Sequence, residues 1–203
     1  MATFFEQVIN GLTIGSFYAL VALGYSMVYG VMKLINFAHG DLFALGSYLG
    51  YTLLIMGSSI VTARFGLWGG MALAMLFALL GVGAAGVLME RVAYRPVYPA
   101  GRLPLVVSAL GMSIFLQNGI MQIWGARPLV YPASVVPSSR FSVLGVPVTT
   151  LQLVILLLSF ALMLIIWYVV EKTTFGAAIR ATALDRNTAT LMGIDVRVVI
   201  FFI

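Results

Sequence analysis

Four polar side chains, Lys33, Asn36, His39 and Asp41, fall within nine positions of a chain that is 62% hydrophobic and 8% charged. His39 is its single histidine, and long apolar runs lie on both sides. An imidazole and a carboxylate two positions apart could couple protons in a membrane carrier, since ionisable groups within a membrane mark ion and substrate paths. Asn36 and His39 could instead hydrogen-bond a zwitterion, forming with Asp41 a gate at the inner mouth of a translocation path. A structural reading competes with both. The same groups could satisfy backbone N–H and C=O left open where one helix ends, Gly40 interrupts the next, and no water is at hand. Other chemistries are closed. The sequence has no G-x-x-x-x-G-K-[ST] loop, no strand-borne G-x-G-x-x-G, no G-x-S-x-G and no H-E-x-x-H. With no cysteine and one histidine, thiol catalysis and His or Cys metal clusters are excluded, so neither a catalytic nor a metal site is expected.

The elements that must position these residues are set by composition. Mean hydropathy is +1.10, and the charged fraction is far below the roughly 25% of a soluble domain. The apolar runs are near-continuous, not the alternating segments of an outer-membrane barrel. A spanning helix needs about 20 apolar residues. The expected fold is therefore an all-α polytopic membrane protein, a helical bundle of at least five transmembrane helices. Spans are expected at 10–31, 42–57, 67–89, 104–124 and 150–170, with a sixth truncated after it begins near Val198. The first residues include Glu6 and no basic cluster, which is not the pattern of a cleaved signal peptide.

The basic residues orient the bundle. With the N-terminus outside (periplasmic, if the membrane is a bacterial inner one), loops 32–41, 90–103 and 171–197 face inward and hold Lys33, Arg91, Arg95, Arg102, Lys172, Arg180, Arg186 and Arg197. The outer segments hold Arg64, Arg127 and Arg140. That asymmetry is the positive-inside pattern, and bases scattered in this way are no nucleic-acid patch. Lys33, Arg91, Arg95 and Arg102 are read as topology anchors. Proline disfavours helix at the residue before it, so Arg95 is expected to be extended and to end any helix there. The proline-broken stretch 125–149 reads as an outer loop with a short hairpin. Glycines four apart (Gly11/Gly15, Gly46/Gly50, Gly66/Gly70) are expected to serve close helix packing.

Loop 171–197 carries a second feature. Residues 182–192 are expected to form one short amphipathic helix with Asp185 in its first turn, stopping at Gly193. Ala183, Leu184, Thr188, Leu191 and Met192 recur near a 3.6 period, giving an apolar stripe for the bilayer interface or for a groove in a partner.

Four blocks, "MVYGVMKLINFAHGDLFALGSY", "ERVAYRPV", "SALGMSIFLQN" and "IRATALDRNTATLMGIDVRVV", together resemble the permease subunits of bacterial branched-chain amino-acid ABC importers of the LivH type. The resemblance covers essentially the whole chain. It implies a multi-pass inner-membrane subunit paired with a second related permease, two cytoplasmic ATPase subunits and a periplasmic substrate-binding protein. No cofactor is bound directly, and ATP and Mg belong to the ATPases. The chain would then be one permease domain over 1–203, lacking its C-terminal helices, with a cytoplasmic coupling loop at 171–197. The importer coupling motif, Glu-Ala-Ala then Gly after three residues, is matched at Ala189 and Gly193, while Asn187 and Thr188 replace its Glu and first Ala. Ala183, Leu184, Asp185, Asn187, Thr188, Ala189, Leu191 and Gly193 are the expected coupling residues. Permeases for urea and short amides share much of this pattern, though Phe37 leans towards amino acids. A proton-coupled secondary transporter and a membrane scaffold are the readings from other classes.

Overall fold

The computed structural model describes residues 2–57, 61, 63–132, 134–135, 139–143 and 146–203. In chain order the elements are α1 (Ala2–Met32), α2 (His39–Met56), α3 (Ala63–Met89), α4 (Arg102–Trp124), β1 (Arg140–Val143), β2 (Val146–Thr149), α5 (Thr150–Lys172), α6 (Thr174–Leu184), α7 (Arg186–Leu191) and α8 (Val196–Phe202). Among the described residues, four stretches are long and apolar enough to cross a membrane: Thr3–Met32, Arg64–Ala100, Arg102–Trp124 and Thr150–Lys172. This is an all-α membrane architecture with one small hairpin. The span expected at 42–57 is α2, which begins earlier, at His39, and stands outside those four. Its His39, Asp41, Ser47, Tyr48, Tyr51 and Thr52 lower its hydropathy, although 18 residues are about 27 Å long.

The chain divides into two compact units, Met1–Ile35 with Ser139–Ile203, and Asn36–Ser138. In the first, hydroxyls that would be costly in hydrocarbon fold back on the helix that carries them. Thr13 donates to the Ile9 carbonyl at 2.8 Å and Ser26 to Ala22 at 2.7 Å. Helix α1 ends where Lys33 turns left-handed (φ 55°) and its N–H reaches the Tyr29 carbonyl at 2.8 Å. The expected hairpin is present: β1 and β2 pair antiparallel, Arg140 opposite Thr149 and Phe141 opposite Val148. Thr149 then opens α5 through a capping box with Gln152. The Gln152 amide also donates to Asn10 of α1 at 2.7 Å. At the far end of α1, Val31 is buried with Ile179 and Val199 under Met27, Phe175, Ala183 and Ile194. Start therefore meets start, and the C-terminal end of α1 meets the segment that follows α5. Helices α1 and α5 run parallel.

In the second unit, α2 and α3 are antiparallel and close. A Cβ at Gly46 would stand 3.1 Å from Val82, and one at Gly81 2.6 Å from Leu49. Two of the glycines expected to serve packing, Gly46 and Gly50, do so, whereas Gly11 and Gly15 face open space. Leu54, Ala74 and Val135 form the buried core beside them.

The expectation for Arg95 fails. It is helical (φ −56°, ψ −43°), and α3 runs on through a π-helical stretch, Glu90–Tyr94, into a 3-10 helix, Arg95–Ala100. Pro96 sits in the first turn of that new helix, where its missing N–H breaks no bond, and the stop comes at Gly101 with φ 99°. Gly40 likewise does not interrupt α2; it is the second residue of that helix. The break lies earlier, between Met32 and His39.

Candidate functional site

The four residues around the first helix break are divided between the two compact units. The chain passes from one unit to the other between Ile35 and Asn36, so Lys33 closes α1 while Asn36, His39 and Asp41 belong to the unit built on α2. Asn36 Oδ1 accepts from the Ala38 N–H at 3.1 Å and from the Tyr94 hydroxyl at 2.6 Å, which ties the entry of α2 to the π-helical turn after α3. The His39 N–H donates to the Asn36 carbonyl at 3.1 Å. Asp41 lies in the first turn of α2, where a carboxylate suits the helix dipole. There it accepts from the Ser113 hydroxyl of α4 at 2.5 Å, and Ser113 accepts in turn from the Gln117 amide at 3.2 Å. Eleven residues further along both helices, Trp124 Nε1 donates to Thr52 at 2.7 Å. Helices α2 and α4 are thus parallel and bolted at two levels. Arg91, Arg95 and Arg102 are all exposed around the α3–α4 bend. Among the described residues no three of His, Asp and Glu come together.

The second candidate differs from its expected form. Residues 182–192 are not one helix; α6 ends at Leu184, and Asp185 is extended (φ −151°, ψ 116°) before α7 begins. Asp185 is the N-cap of α7, not a first-turn residue. Its carboxylate accepts from the Asn187 N–H at 3.0 Å and from the Thr188 hydroxyl. Those bonds, Thr188 first and then the backbone, hold its pKa below the usual aspartate value. Aspartate binds nearby backbone N–H more readily than it propagates a helix, so it breaks the run that periodicity joined. The stop at Gly193 is where it was expected, with φ 83°.

The expected stripe is split as a result. Ala189 is 3% exposed and Ala183 packs on the Val31–Ile179–Val199 core. Leu184, Leu191 and Met192 are instead 89%, 86% and 79% exposed, and Asn187 and Thr188 also face out. Gly176, in the first turn of α6, has no room for a side chain, because a Cβ would run into the Val169 and Val170 carbonyls of α5. Sequence reasoning missed Ser113, Tyr94, Gln152 and the part played by Arg186. Only Gln152 carried a local signal, the T-x-x-Q of a capping box.

The chain matches the family described as branched-chain amino acid transport system, permease component, over residues 7–203. It belongs to that family. The high-affinity branched-chain amino acid transport system permease protein LivH of Escherichia coli (strain K12) is 40% identical over 200 residues, covering 95% of this chain. The corresponding protein BraD of Pseudomonas aeruginosa is 37% identical over 199 residues, also covering 95%. A probable LivH of Methanocaldococcus jannaschii is 30% identical over 187 residues, 87% of this chain and 54% of that protein. The chain spans 63% of the length of the LivH and BraD proteins it matches. No solved structure matches it.

Proposed function

We propose that this chain is a membrane-crossing part of a permease subunit of an ATP-driven importer for branched-chain amino acids in a bacterial inner membrane. A periplasmic binding protein delivers the substrate, a second related permease completes the path, and two ATPase subunits dock inside with their ATP and Mg. Family membership and the names of the relatives carry the substrate class. The observation that carries the mechanism is the α6–α7 module: three exposed apolar side chains, Leu184, Leu191 and Met192, stand on a unit whose other face is locked to the C-terminal end of α1. Exposed apolar side chains flanking a short, capped helix suit a groove in a soluble partner.

Helix direction supports five crossings, and the basic-residue asymmetry supports an N-terminus outside. If α1 and α5 run parallel, the chain between them must cross an odd number of times, and α3 and α4 supply two. Helix α2, antiparallel to α3 and parallel to α4, supplies the third. Its polar side chains are tolerated because Asp41 and Thr52 are paired within the bundle. The bonds made by Asn36 and Asp41 favour helix anchoring over a gate for these residues. A photo-crosslinker at Leu191 in the intact complex should capture the ATPase subunit, and leucine-loaded binding protein should stimulate ATP hydrolysis where urea does not. Stimulation by urea alone would move the assignment to the urea and amide permeases.

A further inference from the structure

Two arginines of the α6–α7 module close the C-terminal ends of two long helices. The last carbonyls of an α-helix lack an N–H partner and carry partial negative charge, so a guanidinium there satisfies both deficits. In α5 the Val170 carbonyl accepts from Arg180, which also pairs with Glu171 at 3.2 Å. In α1 the Val31 carbonyl accepts from Arg186 Nη2 at 2.7 Å. The two bonds differ in what they join. Arg180 reaches ten residues back and folds α6 onto the helix it follows, whereas Arg186 reaches 155 residues back to a different helix.

Asp185 makes that difference matter. It is one extended residue between two helices: the ladder of α6 ends at its N–H, which reaches the Ala181 carbonyl, and that of α7 begins at its carbonyl, which accepts from Ala189. The apolar contacts beneath α7 are non-directional and tolerate sliding. A charge-assisted hydrogen bond fixes position and direction together.

We propose that Arg186 is a positioning residue that latches α7 to the C-terminal end of α1, so that displacement of α7 is handed to α1 and not absorbed at Asp185. This rests on reading α6–α7 as the face that meets the ATPase. These 203 residues contain no cysteine, so spin labels can be placed at Tyr29→Cys and Asn187→Cys, both exposed positions, in the full-length permease within its complex after replacement of any cysteine elsewhere in it. The label-to-label distance distribution is narrow with Arg186. It widens in Arg186→Gln, narrows part of the way back in Arg186→Lys, which restores one charged donor, and does not change in Arg180→Gln. Leucine uptake per assembled complex falls about five-fold or more in Arg186→Gln, the lower end of ordinary coupling between sites, while ATP hydrolysis continues. An unchanged distribution in Arg186→Gln overturns the latch, and a widened one with normal uptake overturns its role in transmission. If Arg186→Gln does not assemble, the same comparison is made with Arg186→Lys, and a wild-type width and wild-type uptake there would count against a need for the guanidinium. If the wild-type complex moves no leucine, the importer reading fails, and the spin-label distances still decide the latch.

Discussion

Ser113 and Asp41 are joined by a 2.5 Å hydrogen bond across 72 positions of chain, the same separation that divides Trp124 from Thr52. Equal separations at two levels fix α2 and α4 as parallel neighbours in one register. They also assign work to Asp41, the acidic residue that a sequence reader would most readily give to proton coupling.

Removing the Ser113 donor should therefore cost stability. Ser113→Ala should destabilise the protein by about 1–2 kcal/mol, between the small average for hydrogen bonds within membranes and the larger value for bonds to charged groups. Asp41→Asn should cost less, because an amide oxygen still accepts. Thermal unfolding of the purified complex checks both, with transport per assembled complex unchanged. Lost transport at normal stability would favour a gate.

Gly176→Ala should destabilise by about 1–3 kcal/mol, the usual cost of forcing a methyl group into filled space. The added Cβ meets backbone carbonyls, which cannot rotate away. Limited proteolysis should then cut within 173–185 in this variant before it cuts the wild type.

The N-cap of α7 should be insensitive to pH across the physiological range. The Asp185 carboxyl has a folded pKa below its ordinary 3.8, so the cap is fully present above 3.8 and is lost only as pH falls through the lowered folded value. Hydrogen exchange at residues 187–189 should be equally protected at pH 5 and pH 8 after correction for intrinsic rates. Asp185→Asn, which keeps an acceptor, should preserve that protection, and Asp185→Ala should lose it.

If α2 crosses the membrane, its two ends differ in access. A cysteine at Met56, 80% exposed at the C-terminal end of α2, should react with an impermeant maleimide added outside intact cells. A cysteine at Lys33, exposed at the break before α2, should react only after the cells are opened. The reverse pattern would invert the topology, and labelling of both from one side would deny that α2 crosses.

Sequence patterns fixed what depends on one residue's own preferences and its near neighbours. The apolar runs became helices, the stretch before Thr150 became a hairpin, and Gly193 stopped α7. Periodicity failed at Asp185, where an apolar stripe continued through a residue that binds its own backbone and splits the helix. The pre-proline rule failed at Arg95, because Pro96 entered the first turn of a new helix in place of ending an old one. The partners of Asp41, Asn36 and Val31 were not legible, since Ser113, Tyr94 and Arg186 lie 72, 58 and 155 positions away. Nothing local distinguishes a serine that faces an aspartate from one that bonds its own helix.

Uptake of radiolabelled leucine into proteoliposomes decides whether this permease works in an ATP-driven importer, with the full-length permease, its partner permease, its ATPases and its binding protein present and ATP supplied on the ATPase side. ATP-dependent accumulation is expected, and Leu191→Arg should abolish it at normal membrane levels while leucine binding by the binding protein is untouched. Accumulation driven by a proton gradient without ATP, or full uptake in Leu191→Arg, would contradict this expectation.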